Sequence, residues 1–449
     1  MGAAGGRRLP PMTDATVIGL ASIGVMLVLI YAGMYVGVAL MLLSVVGVWI
    51  IRGDVNVAAN LLALAANDAI SDYVFGVVPL FVLMGLLVSV ADIGKDTFEV
   101  AHQIFRRVRG GLGIATVAAN AVFAAITGIS IASAAVFTKV AVPEMLRYGH
   151  TPRFAVGVVA GSSVLGMLIP PSLLLILYGV LTEKSIGDLF IAGIIPGIVL
   201  SVAYCAGILA LGRFWPAFVG GGAVADEARA LMSAGEMAAK MLPVVLLVAL
   251  VLGGLYGGVF TPTEAGAVGA AGALALALAK RRLDWRGLWK VLVETAHITA
   301  AICFLIISAS LYSRMLAVSG VTELLRTLIV DSGLGFGGLL AIYVAVILLL
   351  GTILDSSSIM LITIPLVLPA LVAFGTDLVW FGIVTLLAVE IGLLTPPFGI
   401  AVFVIRATLG NDSPITLNDI FAGAAPFAAI MFLMLLAVIA FPRLATALL

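Results

Sequence analysis

Two short stretches hold residues whose types and spacing suit them to binding a solute or an ion: TGISIAS at 127–133 and GTILDSSS at 351–358. Each sets hydroxyls beside glycine in the middle of a long apolar run. Hard cations take oxygen ligands, and hydroxyls together with free backbone carbonyls supply them. Gly128, Ser130 and Ser133 are candidate binding residues in the first stretch. Gly351, Thr352, Asp355, Ser356, Ser357 and Ser358 are candidates in the second. Asp355 adds a carboxylate, for which ion binding or gating stands against a hydrogen-bonding role within the turn.

A second pair, GMLIPPSLL at 166–174 and GLLTPPFGI at 392–400, interrupts apolar runs with adjacent prolines. Proline lacks an N–H and has a fixed φ, so it breaks a helix internally but suits the first turn of a new one. Each run therefore reads as two half-helices, the first ending near Gly166 or Gly392 and the second starting near Pro171 or Pro397. Carbonyl ends of such breaks favour a cation, and N-terminal ends favour an anion. This adds Gly166, Pro170, Pro171, Ser172, Gly392, Thr395, Pro396 and Pro397 to the candidate ion and substrate ligands. Glu390, just before the second break, is open between a coupling and a packing role.

The elements that must position these residues are set by composition. The chain has 449 residues, 63% hydrophobic and 10% charged, with a mean hydropathy of +1.26. Roughly a quarter of a soluble domain is charged, so the expectation is an all-α polytopic membrane protein with about a dozen membrane segments of ~20 residues. The formal net charge of zero comes without a broad basic face, so nucleic acid is not an expected partner. Cys205 and Cys303 fall in apolar segments and read as free buried thiols. His102, His150 and His297 lack metal-ligand spacing, so no transition-metal site is expected.

Apolar segments lie near 16–51, 75–92, 112–146, 154–181, 189–212, 241–258, 265–279, 296–313, 338–374, 380–405 and 422–442. The first is open between one long tilted helix and two short ones. Segments 112–146 and 338–374 each read as two short arms around a polar centre, which suggests a re-entrant helical hairpin. Lys95, Arg106, Arg107 and Arg109 precede the first, and Arg147 and Arg153 follow it, which places both its ends on the cytoplasmic side. The second is flanked by Asp331 and Asp377, with Arg326 the nearest basic residue, and is expected to enter from the opposite side. The loops at 213–240, with Arg213, Arg229 and Lys240, and at 280–290 read as cytoplasmic. Arg7 and Arg8 favour an inside N-terminus, whereas counting helices back from Lys95 can place it outside.

The halves match at a constant offset of 226 positions: Ser130 with Ser356, Pro143 with Pro369, Gly149 with Gly375, Pro170 with Pro396 and Pro171 with Pro397. An odd number of crossings separates the copies, so the second is expected upside down. Inverted repeats with paired Gly/Pro-interrupted segments point to a transporter and to its binding site. The expected organisation is 1–74 as scaffold helices, 75–212 as the first repeat, 213–295 as connecting scaffold and 296–449 as the second repeat. Among other charges, Lys139 and Glu144 read as snorkelling, Arg406 as a topological anchor and Glu264 as a helix-start carboxylate.

The stretches GISIASAAVFTKVAVPEMLRYGH, GSSVLGMLIPPSLLLILYG, SIGDLFIAGIIPG, GGVFTPTEAGAVGA and DLVWFGIVTLLAVEIGLLTPPFGIAVFVI together resemble the large membrane subunit (DctM-like) of the tripartite ATP-independent periplasmic, or TRAP, transporters. The resemblance covers most of the chain from about Val78 to Pro426. It implies an elevator-type carrier in a bacterial or archaeal cytoplasmic (inner) membrane, with Na+ as coupling ion and no cofactor. It also implies a separate small membrane subunit (DctQ-like) and a soluble periplasmic substrate-binding protein (DctP-like) that delivers an organic acid and sets selectivity. In that family the tips and interrupted helices form the ion and substrate sites, which maps onto 128–133, 166–172, 351–358 and 392–397. Some members carry an acidic residue in the first tip region, where this sequence reads SIASAAV. A stand-alone cation-coupled carboxylate transporter is the alternative, and an intramembrane enzyme a remote one. The chain has no HExxH, no matched Ser–His pair and no GxxxxGK[ST], so protease and ATP-driven pump chemistry lack their residues.

Overall fold

Where hydrocarbon surrounds a chain, each backbone N–H and C=O needs a partner within its own segment, and helices satisfy that demand. A computed structural model of the protein describes residues 13–71, 73–108, 110–221, 232–324, 327, 335–410 and 412–449. Arg7, Arg8, Arg109, Arg229, Arg326 and Asp331, used above to assign sides, lie outside the described residues. Among those described, the chain is helical throughout, with one isolated bridge between His150 and Gly220. Among the described residues seven helices are long and apolar enough to cross a membrane, or nine if each of two bent pairs counts as one span.

Residues 16–51 resolve into two helices, Asp14–Tyr31 and Val36–Arg52. Two further helices, Val55–Ser71 and Ile93–Phe105, have no counterpart among the apolar runs, because both are amphipathic. Ile93–Phe105 buries Ile93, Phe98, Val100 and Ala101 and presents its charges on the other side. It meets Val77–Val90 at 60°, and Asp92 forms the corner in the left-handed region with φ 55°.

The chain packs as two units. The first comprises 1–75, 300–346 and 360–377, and the second 76–299, 347–359 and 378–449. In the first, Ser22 and Tyr312 share a hydroxyl hydrogen bond of 3.1 Å, Thr16 donates to the Ser319 carbonyl at 3.1 Å, and Arg314 pairs with Asp68 at 2.5 Å. These join the N-terminal helices to the last turns of the helix Trp285–Ser319.

The second unit contains the first hairpin, both interrupted helices and the tip of the second hairpin, residues 347–359. Asp96 accepts from Lys280 and is ion-paired with Lys240 at 3.7 Å, while Lys240 donates to Glu99. This ionic cluster fixes Ile93–Phe105 to the helices Ala234–Tyr256 and Pro262–Ala279. Glu264 closes a capping box with Thr261, which satisfies the first free amides of that helix. Arg406 donates to the Gly410 carbonyl at 2.9 Å, and Lys139 is exposed.

One close helix pair in this unit is Pro152–Ser163 against Leu417–Ala440. A Cβ on Gly157 would strike the backbone of Gly423, and one on Gly161 would strike Phe427. Glycine here lets the backbones touch, as small residues do at membrane helix interfaces. Gly157→Val should therefore overpack the pair and cost about 2 kcal/mol. Thermal unfolding of the purified variant checks this, and an unchanged midpoint would contradict the packing described.

Candidate functional site

Both hairpins are built to the same plan. The first has helices Gly111–Thr127 and Ser130–Arg147, of 17 and 18 residues. The second has Gly335–Gly351 and Ser356–Ala373, again of 17 and 18 residues. These arms are longer than the apolar runs suggested, because helix formation continues into polar flanks such as Thr127 and Arg147. At about 1.5 Å per residue each reaches roughly 26 Å, so arm length alone does not make them re-entrant.

The interrupted helices differ from expectation in where they restart. The first half-helix runs Pro152–Ser163 and Leu165–Leu168, and the second begins at Leu173, beyond Pro170 and Pro171. The second interrupted helix stops at Gly392 and resumes at Ile400, beyond Pro396 and Pro397. The prolines thus lie within the breaks and do not open the new helices. Both Pro–Pro bonds are cis. Ser172 supplies the start instead, its hydroxyl accepting from the Leu175 amide at 3.2 Å. At the other break Gly399 takes that place in the left-handed region, φ 42°.

Each tip seats its own break by backbone contact. The Leu173 amide donates to the Gly128 carbonyl at 3.1 Å, and the Gly399 amide to the Thr352 carbonyl at 3.3 Å. Leu173 and Gly399 stand at the repeat offset. So do Gly166 and Gly392, and both approach a tip. A Cβ on Gly166 would lie 3.0 Å from the Ile129 backbone, and one on Gly392 2.6 Å from the Gly351 Cα. Gly128 ends its helix at φ +64°, and a Cβ there would sit 2.5 Å from the Pro171 carbonyl oxygen.

The tips differ in how their second helices start. Asp355 caps Ser356–Ala373, its Oδ2 accepting from the amides of Ser357 and Ser358 at 3.1 Å each and its Oδ1 from the Ser358 hydroxyl. Both carboxylate oxygens thus take part in holding the tip. At the matching position of the first tip stands Ile129, which offers no side-chain cap. Thr352 and Thr395 turn their hydroxyls back onto Leu349 and Ile391 at 2.8 and 2.7 Å.

Ser130 and Ser356 are both buried, and both address Glu390. The Ser356 hydroxyl donates to Glu390 Oε1 at 3.2 Å. The Ser130 hydroxyl stands near the same carboxylate and has no hydrogen-bond partner among the described residues. Ser133 Oγ and Glu390 Oε2 are also buried without a partner. Two residues escaped the sequence reading. The buried Tyr204 hydroxyl has no partner and lies within the field of Glu390. Asn120 donates to Ser162 Oγ at 2.6 Å and leaves its own oxygen unanswered. No sequence signal separates them from other residues of apolar helices, because an unanswered atom is a property of packing.

Residues 23–444 match the family model of the tripartite ATP-independent periplasmic transporter, DctM component. The chain is 32% identical over 390 residues to the C4-dicarboxylate TRAP transporter large permease protein DctM of Pseudomonas aeruginosa, covering 86% of this chain and 88% of that one. It is 29% identical over 418 residues to the sialic acid TRAP transporter large permease protein SiaM of Vibrio cholerae, covering 92% and 94%. With the 2,3-diketo-L-gulonate TRAP transporter large permease protein YiaN of Escherichia coli it shares 29% over 444 residues, covering 95% and 96%. These relatives are permeases, not enzymes. Among solved structures, the Alcanivorax borkumensis YdaH transporter shares the fold with a TM-score of 0.56 at 15% identity, over 82% of this chain and 87% of that one.

Two substitutions probe the tip geometry. Gly392→Ala should lower stability by about 1–3 kcal/mol, whereas Gly337→Ala, whose new methyl meets open space, should not. Equal denaturation midpoints for the two would contradict the backbone contact. Asp355→Ala should cost about 1 kcal/mol through the lost cap, and faster amide exchange at 356–358 is the accompanying signature to measure.

Proposed function

The chain belongs to the DctM component family of tripartite ATP-independent periplasmic transporters, and from that premise we propose that it is the large permease of a sodium-coupled importer of an organic acid. It is a multi-pass membrane protein of a transporter family. The proposed setting is the cytoplasmic (inner) membrane of a bacterium or archaeon. The proposed partners are a DctQ-like small membrane subunit and a DctP-like periplasmic protein that delivers the solute.

The observation that carries the reading is the duplicated junction of tip and break. In each repeat, non-helical backbone and hydroxyl residues meet inside one packed unit. Such backbone is tolerated in membrane proteins where it is buried in protein or lines a cavity, and helix ends of this kind hold ions and anionic groups in transporters. The second hairpin's capped tip, with carbonyls at 351–352, and both breaks suit a sodium ion. The first tip suits an acidic solute: its helix Ser130–Arg147 starts without a side-chain cap, leaving amides and a partial positive charge to face a carboxylate. Ser130, Ser133, Ser356 and Ser357 would contribute hydroxyls, and Gly128, Gly166, Gly351 and Gly392 close backbone approach.

Elevator movement is supported by the gathering of both tips and both breaks into one unit, as a body that carries its site would require. The relatives named for a C4-dicarboxylate, sialic acid and a gulonate support an organic acid as solute.

The test is uptake by liposomes holding this chain and its small subunit, with the delivery protein and acid outside. Uptake should require both an inward sodium gradient and the delivery protein. Uptake unaffected by replacing sodium with choline would remove the coupling assignment. Uptake by this chain alone would favour the stand-alone carrier.

A further inference from the structure

Among the described residues Glu390 is the one acidic side chain that is buried, at 1% exposure. It lies on a helix whose residues from Trp380 to Gly392 are all buried. Its Oε1 accepts from Ser356 at 3.2 Å, while Oε2 is enclosed without a partner. No basic group among the described residues acts on it. A lone buried carboxylate is costly unless a counter-charge or a full set of hydrogen bonds answers it.

The surroundings also hold an unassigned oxygen. The buried hydroxyl of Ser130, from another element, stands near the carboxylate and forms no hydrogen bond among the described residues.

We propose that Glu390 is the anionic ligand of a monovalent-cation site, completed by the hydroxyls of Ser130 and Ser356. This rests on the sodium-coupled reading above and adds to it an ion bound by a side-chain charge. One carboxylate balances one positive charge. A divalent ion would be left under-neutralised, and no cluster of three His, Cys, Asp or Glu occurs among the described residues. Oxygen-only ligation suits a hard ion such as sodium.

The site is also singular. The tips and breaks occur twice, but the repeat mate of Glu390 is Val164, so the structure holds one copy. Its hydroxyl ligands come from both hairpins, Ser130 from the first and Ser356 from the second. An ion there would tie the two repeats together through one charge.

The experiment follows the thermal midpoint of the purified full-length chain as sodium replaces choline at constant ionic strength. The wild type should be stabilised by sodium. Glu390→Gln should keep its midpoint in choline, since the amide matches the carboxyl in size and shape, but respond to sodium less steeply and with a half-saturating concentration about tenfold higher. Should Glu390→Gln fail to fold, Glu390→Asp carries the test: it keeps the charge, withdraws it by one methylene, and should also raise half-saturation about tenfold. A sodium response in these variants equal to that of the wild type overturns the proposal and leaves sodium coupling intact. A wild type indifferent to sodium overturns both.

Discussion

The structure depends on backbone groups at helix breaks finding partners away from water. An unpaired amide or carbonyl in an apolar interior costs as much as a lost hydrogen bond or more. Here the freed amide at each break is answered by the carbonyl of the facing hairpin tip, Leu173 by Gly128 and Gly399 by Thr352. That requirement explains why tips and breaks occur together in each repeat. It also explains why glycine occupies the points of closest approach, since a Cβ at 128, 166, 351 or 392 would run into neighbouring backbone.

Much of this was legible beforehand. Long apolar runs gave the helices, the 226-residue offset gave the repeat, and the paired Gly and Pro residues marked both breaks. The restart points at Leu173 and Ile400 were not legible. Proline chemistry allows a residue either to open a helix or to lie in the break before it, and the choice rests with the Ser172 cap and with Gly399. The amphipathic helices at 55–71 and 93–105 escaped for another reason: asparagines in the first and charges in the second interrupt the apolar runs, and only the packing of Ile93–Phe105 against its neighbours reveals its buried face.

The two acidic residues near the site teach the sharper lesson. Asp355 has the more suggestive setting in sequence, among serines at a turn, yet its short side chain folds back onto the amides that follow it. Glu390 sits in a featureless apolar helix, and its enclosure reveals it. Local sequence reports which groups a carboxylate can reach within its own turn. Only tertiary packing reports which groups leave it unanswered.

The junction between each tip and its break is made by main-chain atoms, and this bears on how such a carrier diversifies. An amide-to-carbonyl link reads no side chain apart from the glycines that admit it. Neighbouring positions are then free to vary in shape and polarity while the contact between the two pieces keeps its form. Relatives that handle chemically different acids can share one mechanical joint and change only the upholstery around it.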